Sequence, residues 1–156
     1  MLPDVLTQIR TWLTDAAVTV REVNHPPTRT SEESARARGE ELRVGGKALL
    51  LKVDDSFRLF VLSAARKLDS AAIKRHFGAK KLRFATADEL HEMTGLAPGA
   101  VPPFGPPILP FELYADESIF ENRVIAFNAG SLTTSIIMAV EDYERMAKPT
   151  RLRFSN

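Results

Sequence analysis

The chain has 156 residues, 44% of them hydrophobic, enough for one sizeable core but little room for two, so a single domain over residues 1–156 is expected. It contains no cysteine, which excludes disulfides, thiolate-ligated zinc and a cysteine nucleophile. The formal net charge is only +1, and with neither a run of about eighteen apolar residues nor a signal-peptide pattern the protein is expected to be soluble and cytoplasmic.

Leu2, Val5, Leu6, Ile9 and Leu13 recur at helical spacing and predict an amphipathic helix over the first fifteen or so residues. Val18, Val20 and Val23 suggest a strand, which His25-Pro26-Pro27 stops because proline removes ladder donors. Thr30-Ser31-Glu32-Glu33 has capping-box spacing and opens a short helix ending near Gly39. After the Gly45-Gly46 turn, Lys47 to Val53 and Phe57 to Leu62, joined at Asp54-Asp55, read as a β-hairpin. Asp69 caps a helix that runs to Phe77 and Gly78, and Leu82 to Ala85 is a short strand. Thr86-Ala87-Asp88-Glu89 opens the next helix, which closes at Gly95. Six of the ten prolines fall between Pro98 and Pro110, a stretch read as an ordered loop crossing a surface. Strands at Phe111 to Tyr114, Val124 to Phe127 and Ser135 to Ala139, a helix from Glu141 to Ala147 and a short tail complete the chain. The fold class is therefore α+β: a mixed β-sheet, curled into a partly open barrel and flanked by helices.

Charge is segregated along the chain. Between Arg58 and Arg83, eight basic residues stand against Asp69 alone, whereas from Phe84 to Glu144 ten acids stand against Arg123 alone. Such a division gives either two solvated faces of opposite sign or a basic surface for a polyphosphate partner. Lys47 opens a strand with apolar residues on both faces, so it stands either at a rim in water or at the mouth of a pocket, poised to hold a phosphate or a carbonyl oxygen. Gly99-Ala100-Val101-Pro102-Pro103-Phe104-Gly105 is either a structural turn or a rigid segment that brings backbone close to a ligand. Asn128-Ala129-Gly130-Ser131, after a strand, could line the same cavity. His25, His76 and His91 share no ligand spacing, so no metal is expected. Serine-hydrolase elbow, P-loop and dinucleotide fingerprints are all missing from the sequence.

Six segments in order carry a resemblance: His25-Pro26-Pro27, Thr30-Ser31-Glu32-Glu33, Gly46-Lys47-Ala48-Leu49, Arg66-Lys67-Leu68-Asp69, Thr94-Gly95 with Gly99 to Gly105, and Phe127-Asn128-Ala129-Gly130. Over roughly Val18 to Pro149 the chain resembles the YbaK family, which includes the editing domain of bacterial prolyl-tRNA synthetases. Its ending, from Asn128 to Lys148-Pro149, looks most like the freestanding YeaK-like branch, associated with seryl- and threonyl-tRNA deacylation. The resemblance implies a curled mixed sheet and hydrolysis of the aminoacyl ester on the terminal adenosine of tRNA, without a cofactor. It puts the essential lysine on Lys47 and the Gly-x-x-x-Pro loop on Gly99 and Pro103. Substrate contacts are expected at His25, Thr30, Ala100, Phe104, Asn128, Gly130 and Ser135 as well, and tRNA contacts at Arg66, Lys67, Lys74, Arg75, Lys80 and Lys81. The histidine that some members carry after the late strand has no counterpart in Ser131-Leu132-Thr133-Thr134-Ser135, which argues against a histidine-dependent mechanism and leaves hydroxyls there. Aminoacyl-tRNA is the expected partner, with a synthetase as a further candidate. The alternatives are a tRNA or aminoacyl-tRNA binding module without catalysis and a small-molecule esterase.

Overall fold

The computed structural model describes residues 3–156. Helix α1, Val5–Asp15, starts where the Asp4 carboxylate accepts the Thr7 N–H at 2.8 Å, and it buries Ile9 and Leu13 one turn apart. Leu2, expected on the same stripe, lies outside the described residues. Strand β1, Arg21–Asn24, begins later than the valine pattern suggests. The cause is the helix end: Ala17 takes a left-handed conformation and the Val18 N–H donates to Leu13 O, so Val18 is spent on closing α1 and on the core.

Helix α2, Ser31–Arg38, is capped by Thr30, whose hydroxyl accepts the Glu33 N–H at 3.1 Å. The expected capping box is one-sided, because Glu33 turns its carboxylate to the Arg29 N–H instead of that of Thr30. The hairpin forms as expected from β2, Gly46–Val53, and β3, Ser56–Ser63, with Lys47 opposite Leu62. Helix α3, Ser70–Phe77, runs between Asp69 and Gly78. Strand β4, Leu82–Phe84, pairs antiparallel with β2, and α4, Ala87–Thr94, opens on a complete capping box between Thr86 and Glu89.

Strand β5, Leu113–Asp116, lies parallel to β3. Strands β6, Val124–Asn128, and β7, Thr134–Ala139, form an antiparallel pair followed by α5, Val140–Ala147. The tail contains β8, Thr150–Leu152, parallel to β5 and not foreseen from the sequence.

These strands make two sheets, a five-stranded one in the order β4-β2-β3-β5-β8 and a three-stranded one in the order β1-β7-β6. The single curled sheet expected from the sequence is thus divided. The two sheets touch through a parallel bridge between Gly45 and Ala126. They come so close there that a Cβ on Gly46 would stand 2.6 Å from Ile125 Cδ1, which only glycine avoids. Strand β2 is interior: Leu50 faces the larger core with Ile125 and Phe127, while Leu51 and Val53 face a second core under α3 with Phe60, Ile73 and Phe154. Among the described residues no helix is long and apolar enough to cross a membrane.

The proline-rich segment is at the surface only in part: Pro98, Pro106, Pro107 and Pro110 are exposed, but the rest turns inward. Val101, Phe104, Ile108 and Leu109 are buried, and Phe104 stands edge-on to Trp12 at 5.2 Å and to Phe127 at 5.3 Å. The Tyr143 hydroxyl, itself in the core, donates to Pro103 O at 2.7 Å. Proline lacks an N–H, so a proline-rich backbone can enter the core leaving fewer donors to satisfy.

Candidate active site

A cavity of about 170 Å³ opens where the two sheets touch, bordered by the start of α2 (Thr28 to Ser31, Ser34), by Arg38, by the start of β2 (Gly45 to Ala48) and by Gly99, Val101 and Asn128. Among the described residues no acid borders it, whereas Arg29, Arg38 and Lys47 do. Lys47 is exposed at this rim, and among the described residues it makes no ion pair or side-chain hydrogen bond. A second cavity, of about 130 Å³, shares Ala48, Gly99 and Val101 with the first and is apolar, lined by Leu50, Phe84, Leu90 and Pro98. Phe84 is the one large hydrophobic side chain left exposed among the described residues, at 56%.

Behind the first cavity lies a chain of hydrogen bonds. Arg38 Nε donates to Ser135 Oγ at 2.9 Å and its Nη2 donates to Asn128 Oδ1 at 3.0 Å. The other end of the Asn128 amide, Nδ2, donates to Gly99 O at 2.7 Å, so both ends of this carboxamide are fixed. Pro26 O, 2.9 Å from His25 Nδ1, can only accept, so His25 carries a proton there, and the single Ser135 hydroxyl proton is shared between His25 Nε2 at 2.8 Å and Asn128 Oδ1 at 3.1 Å. Arg38 is only 8% exposed, and burial pulls its guanidinium down to about 10.

Of the residues expected on the substrate, Lys47, Thr30, Gly99 and Asn128 border the cavity, while Ser135 stands one hydrogen bond behind it and His25 two. Ala100 is buried next to Gly99. Pro103 and Phe104 lie in the core rather than on the cavity wall. Gly130 is also elsewhere: a Cβ there would meet Val5 Cγ1 at 2.7 Å, so it marks the contact of the β6–β7 loop with α1. Ser131 and Thr133 hydrogen-bond each other and do not border the cavity; its hydroxyls come from Thr28, Thr30, Ser31 and Ser34. Sequence reasoning missed Arg38, because an arginine in the last turn of a helix reads as a complement to the helix dipole. The available signal was its place four residues after Ser34, on the face of α2 that also buries Ala35.

The basic run divides by role. Arg58 and Arg83 pair with Glu112 and Glu89, and Arg66 is tied to Ser155. Lys67, Lys74, Arg75, Lys80 and Lys81 are exposed, and among the described residues they have no acidic partner. The Lys80 and Lys81 amides are held by Asp54 Oδ1, which fixes the turn that displays their side chains.

The model of the aminoacyl-tRNA editing domain matches residues 25–146, which include every residue bordering this cavity. The chain belongs to the aminoacyl-tRNA editing domain family. Within that family, a multifunctional Ser/Thr-tRNA deacylase, ProXp-y, of Escherichia coli strain K12 is 36% identical over 140 residues, covering 86% of this chain and 83% of that protein. A proline–tRNA ligase of Shouchella clausii is 35% identical over 104 residues, 67% of this chain but 18% of the ligase. The crystal structure of a candidate trans-editing enzyme for prolyl tRNA synthetase shares the fold with a TM-score of 0.84 at 26% identity, over 100% of this chain and 99% of that one.

Proposed function

We propose that the protein is a freestanding aminoacyl-tRNA deacylase, hydrolysing the ester between a small amino acid and the terminal adenosine of tRNA, with serine and threonine favoured. The observation that carries this reading is a cavity bordered, among the described residues, by three cations and no acid in a member of the editing-domain family. The aminoacyl ester is already activated, so positioning and electrostatics supply most of the acceleration. Lys47 holds the ester carbonyl or a neighbouring phosphate, and Gly99 with Asn128 fixes the aminoacyl group. Water adds to the carbonyl carbon, the bond from that carbon to the ribose oxygen breaks, and the ribose oxygen leaves with a proton. The apolar cavity beside the polar one suits the flat ring of a nucleoside. The Gly45–Ala126 bridge supports reading the two sheets as halves of a partly open barrel with the cavity at their seam. We take residues 1–156 as one catalytic unit acting in the cytoplasm.

The test is deacylation of one tRNA carrying in turn Ser, Thr, Ala, Cys and Leu. The cavity hydroxyls can pair with a side-chain hydroxyl, and an analogue without one leaves them unmatched. Ser and Thr should be released fastest, Ala more slowly and Leu hardly at all. Faster release of Ala or Cys than of Ser and Thr would overturn the specificity; no release of any of them would overturn the deacylase.

The exposed Lys67, Lys74, Arg75, Lys80 and Lys81 support a second element of the reading, contact with tRNA phosphates. Lys74→Glu with Lys80→Glu should lower kcat/KM on aminoacyl-tRNA about tenfold or more relative to a short aminoacyl-adenosine ester, and should flatten the salt dependence of tRNA binding. An unchanged salt slope would leave this surface as a merely solvated face.

A further inference from the structure

Arg38 is an anomaly among the arginines of the fold. Arg58, Arg83, Arg151 and Arg153 each have a carboxylate partner, but Arg38, more buried than any of them, is held only by the neutral Ser135 and Asn128. A guanidinium has five N–H donors. Two are used, by Ser135 Oγ and Asn128 Oδ1, which leaves three without a partner among the described residues. Arg38 borders the cavity, and its Nη1 would be 3.7 Å from a Cβ on Gly45, another residue of that wall. A buried cation without a counter-ion is unfavourable unless a ligand completes it.

The substrate chemistry says which ligand. In an aminoacyl ester the amino-acid carboxyl is bonded to ribose and carries no charge, and the α-amino group is a cation that Arg38 repels. The anions that the end of a tRNA brings are its phosphodiesters, and a planar guanidinium matches phosphate oxygens two at a time, where lysine is a point charge. Resting on the deacylase reading above, we propose that Arg38 is the phosphate-binding group of this cavity. It takes the phosphodiester on the 5′ side of the terminal adenosine and leaves Lys47 for the ester carbonyl. Ser135 and Asn128 hold the guanidinium in place. The Asn128 bond to Gly99 O couples its position to the Gly99 loop, which also borders the cavity.

Two small substrates separate the roles: the seryl ester of adenosine, and the same ester carrying a 5′-phosphate. The wild-type protein should prefer the phosphorylated ester in kcat/KM by about tenfold or more, the scale of a charge-assisted hydrogen bond. In Arg38→Met this ratio should fall to near one, chiefly through KM, and Arg38→Lys should restore part of it. A ratio that persists in Arg38→Met, with both esters slowed alike, would overturn the proposal in favour of the ester carbonyl or a structural role. A binding arm needs neither variant nor turnover: calorimetry on the wild-type protein should give tighter binding of 5′-AMP than of adenosine, an advantage that shrinks with salt. Equal binding of the two would overturn the phosphate site. Because this arm does not use hydrolysis, it stands apart from a failure of the deacylase reading itself.

Discussion

Replacing Lys47 by alanine is expected to lower kcat/KM for deacylation by about a hundredfold or more, the scale of losing one preorganised donor to a developing oxyanion. The size of the effect follows from where the charge stands. Lys47 is exposed at the cavity rim, has no acidic partner among the described residues and sits near the start of the ladder between two interior strands. Its ammonium is therefore free to meet substrate, while its backbone is fixed by pairing with Leu62. For the same reason the fold should survive: the side chain contributes no ion pair whose loss would destabilise the protein. Thermal melting of Lys47→Ala should match that of the wild type, and near-normal turnover of every charged tRNA would remove Lys47 from the mechanism.

The largest effect on stability is expected at Asp116. This carboxylate is fully buried at the end of β5, and it accepts hydrogen bonds from Phe154 N at 2.6 Å, Ser155 Oγ at 2.7 Å and Ser118 N at 3.0 Å, with Arg153 alongside. It therefore fastens the tail that contains β8 to the five-stranded sheet. Burial raises its carboxyl, but the hydrogen bonds from Ser118, Ser155 and Phe154 outweigh burial and hold it below the ordinary aspartate value. The Phe154 and Ser118 amides sit on different carboxylate oxygens, so Asp116→Asn, which keeps only one oxygen, turns an NH2 against one of them and should cost about 3 kcal/mol in urea unfolding. Because the folded-state value is depressed, this stabilisation is fully present above the ordinary aspartate range and is lost as pH falls through the lower, folded value. The gap between wild type and Asp116→Asn should thus be constant from neutral pH to about 5 and narrow in stronger acid. A gap independent of pH down to acid unfolding would show that the charge of Asp116 does not carry the effect.

Local chemistry is legible in the sequence wherever one residue decides it. Asp69, Thr86, Gly78 and Gly95 bound their helices at the positions their side chains or lack of them predict, and the hairpin register follows from two apolar strands and one short turn. Long-range pairing is not legible. Thr150-Arg151-Leu152 has no strand pattern of its own and becomes β8 only because β5 offers a free edge and Asp116 anchors Phe154 and Ser155 just beyond it. The proline-rich segment reads as a surface crossing because proline signals a loop, and loops are usually at the surface. Its Phe104, Ile108 and Leu109 carry the opposite signal. The site is half visible. Lys47, Gly99 and Asn128 belong to segments singled out by glycine, charge and order along the chain. Arg38 reaches them only through the closing of the three-stranded sheet onto α2, which no local pattern encodes.

Both rims of the five-stranded sheet are three residues long, Leu82–Phe84 on one side and Thr150–Leu152 on the other, and each has an arginine at its centre. Another copy of the chain adding a strand at either rim would gain a ladder of only three residues, beside an arginine already engaged by carboxylates of its own chain, Glu89 for Arg83 and Glu117 with Glu144 for Arg151. Neither edge of the five-stranded sheet is thereby a good template for growth, and polymers built through this sheet should not form at the concentrations at which the protein is purified and stored.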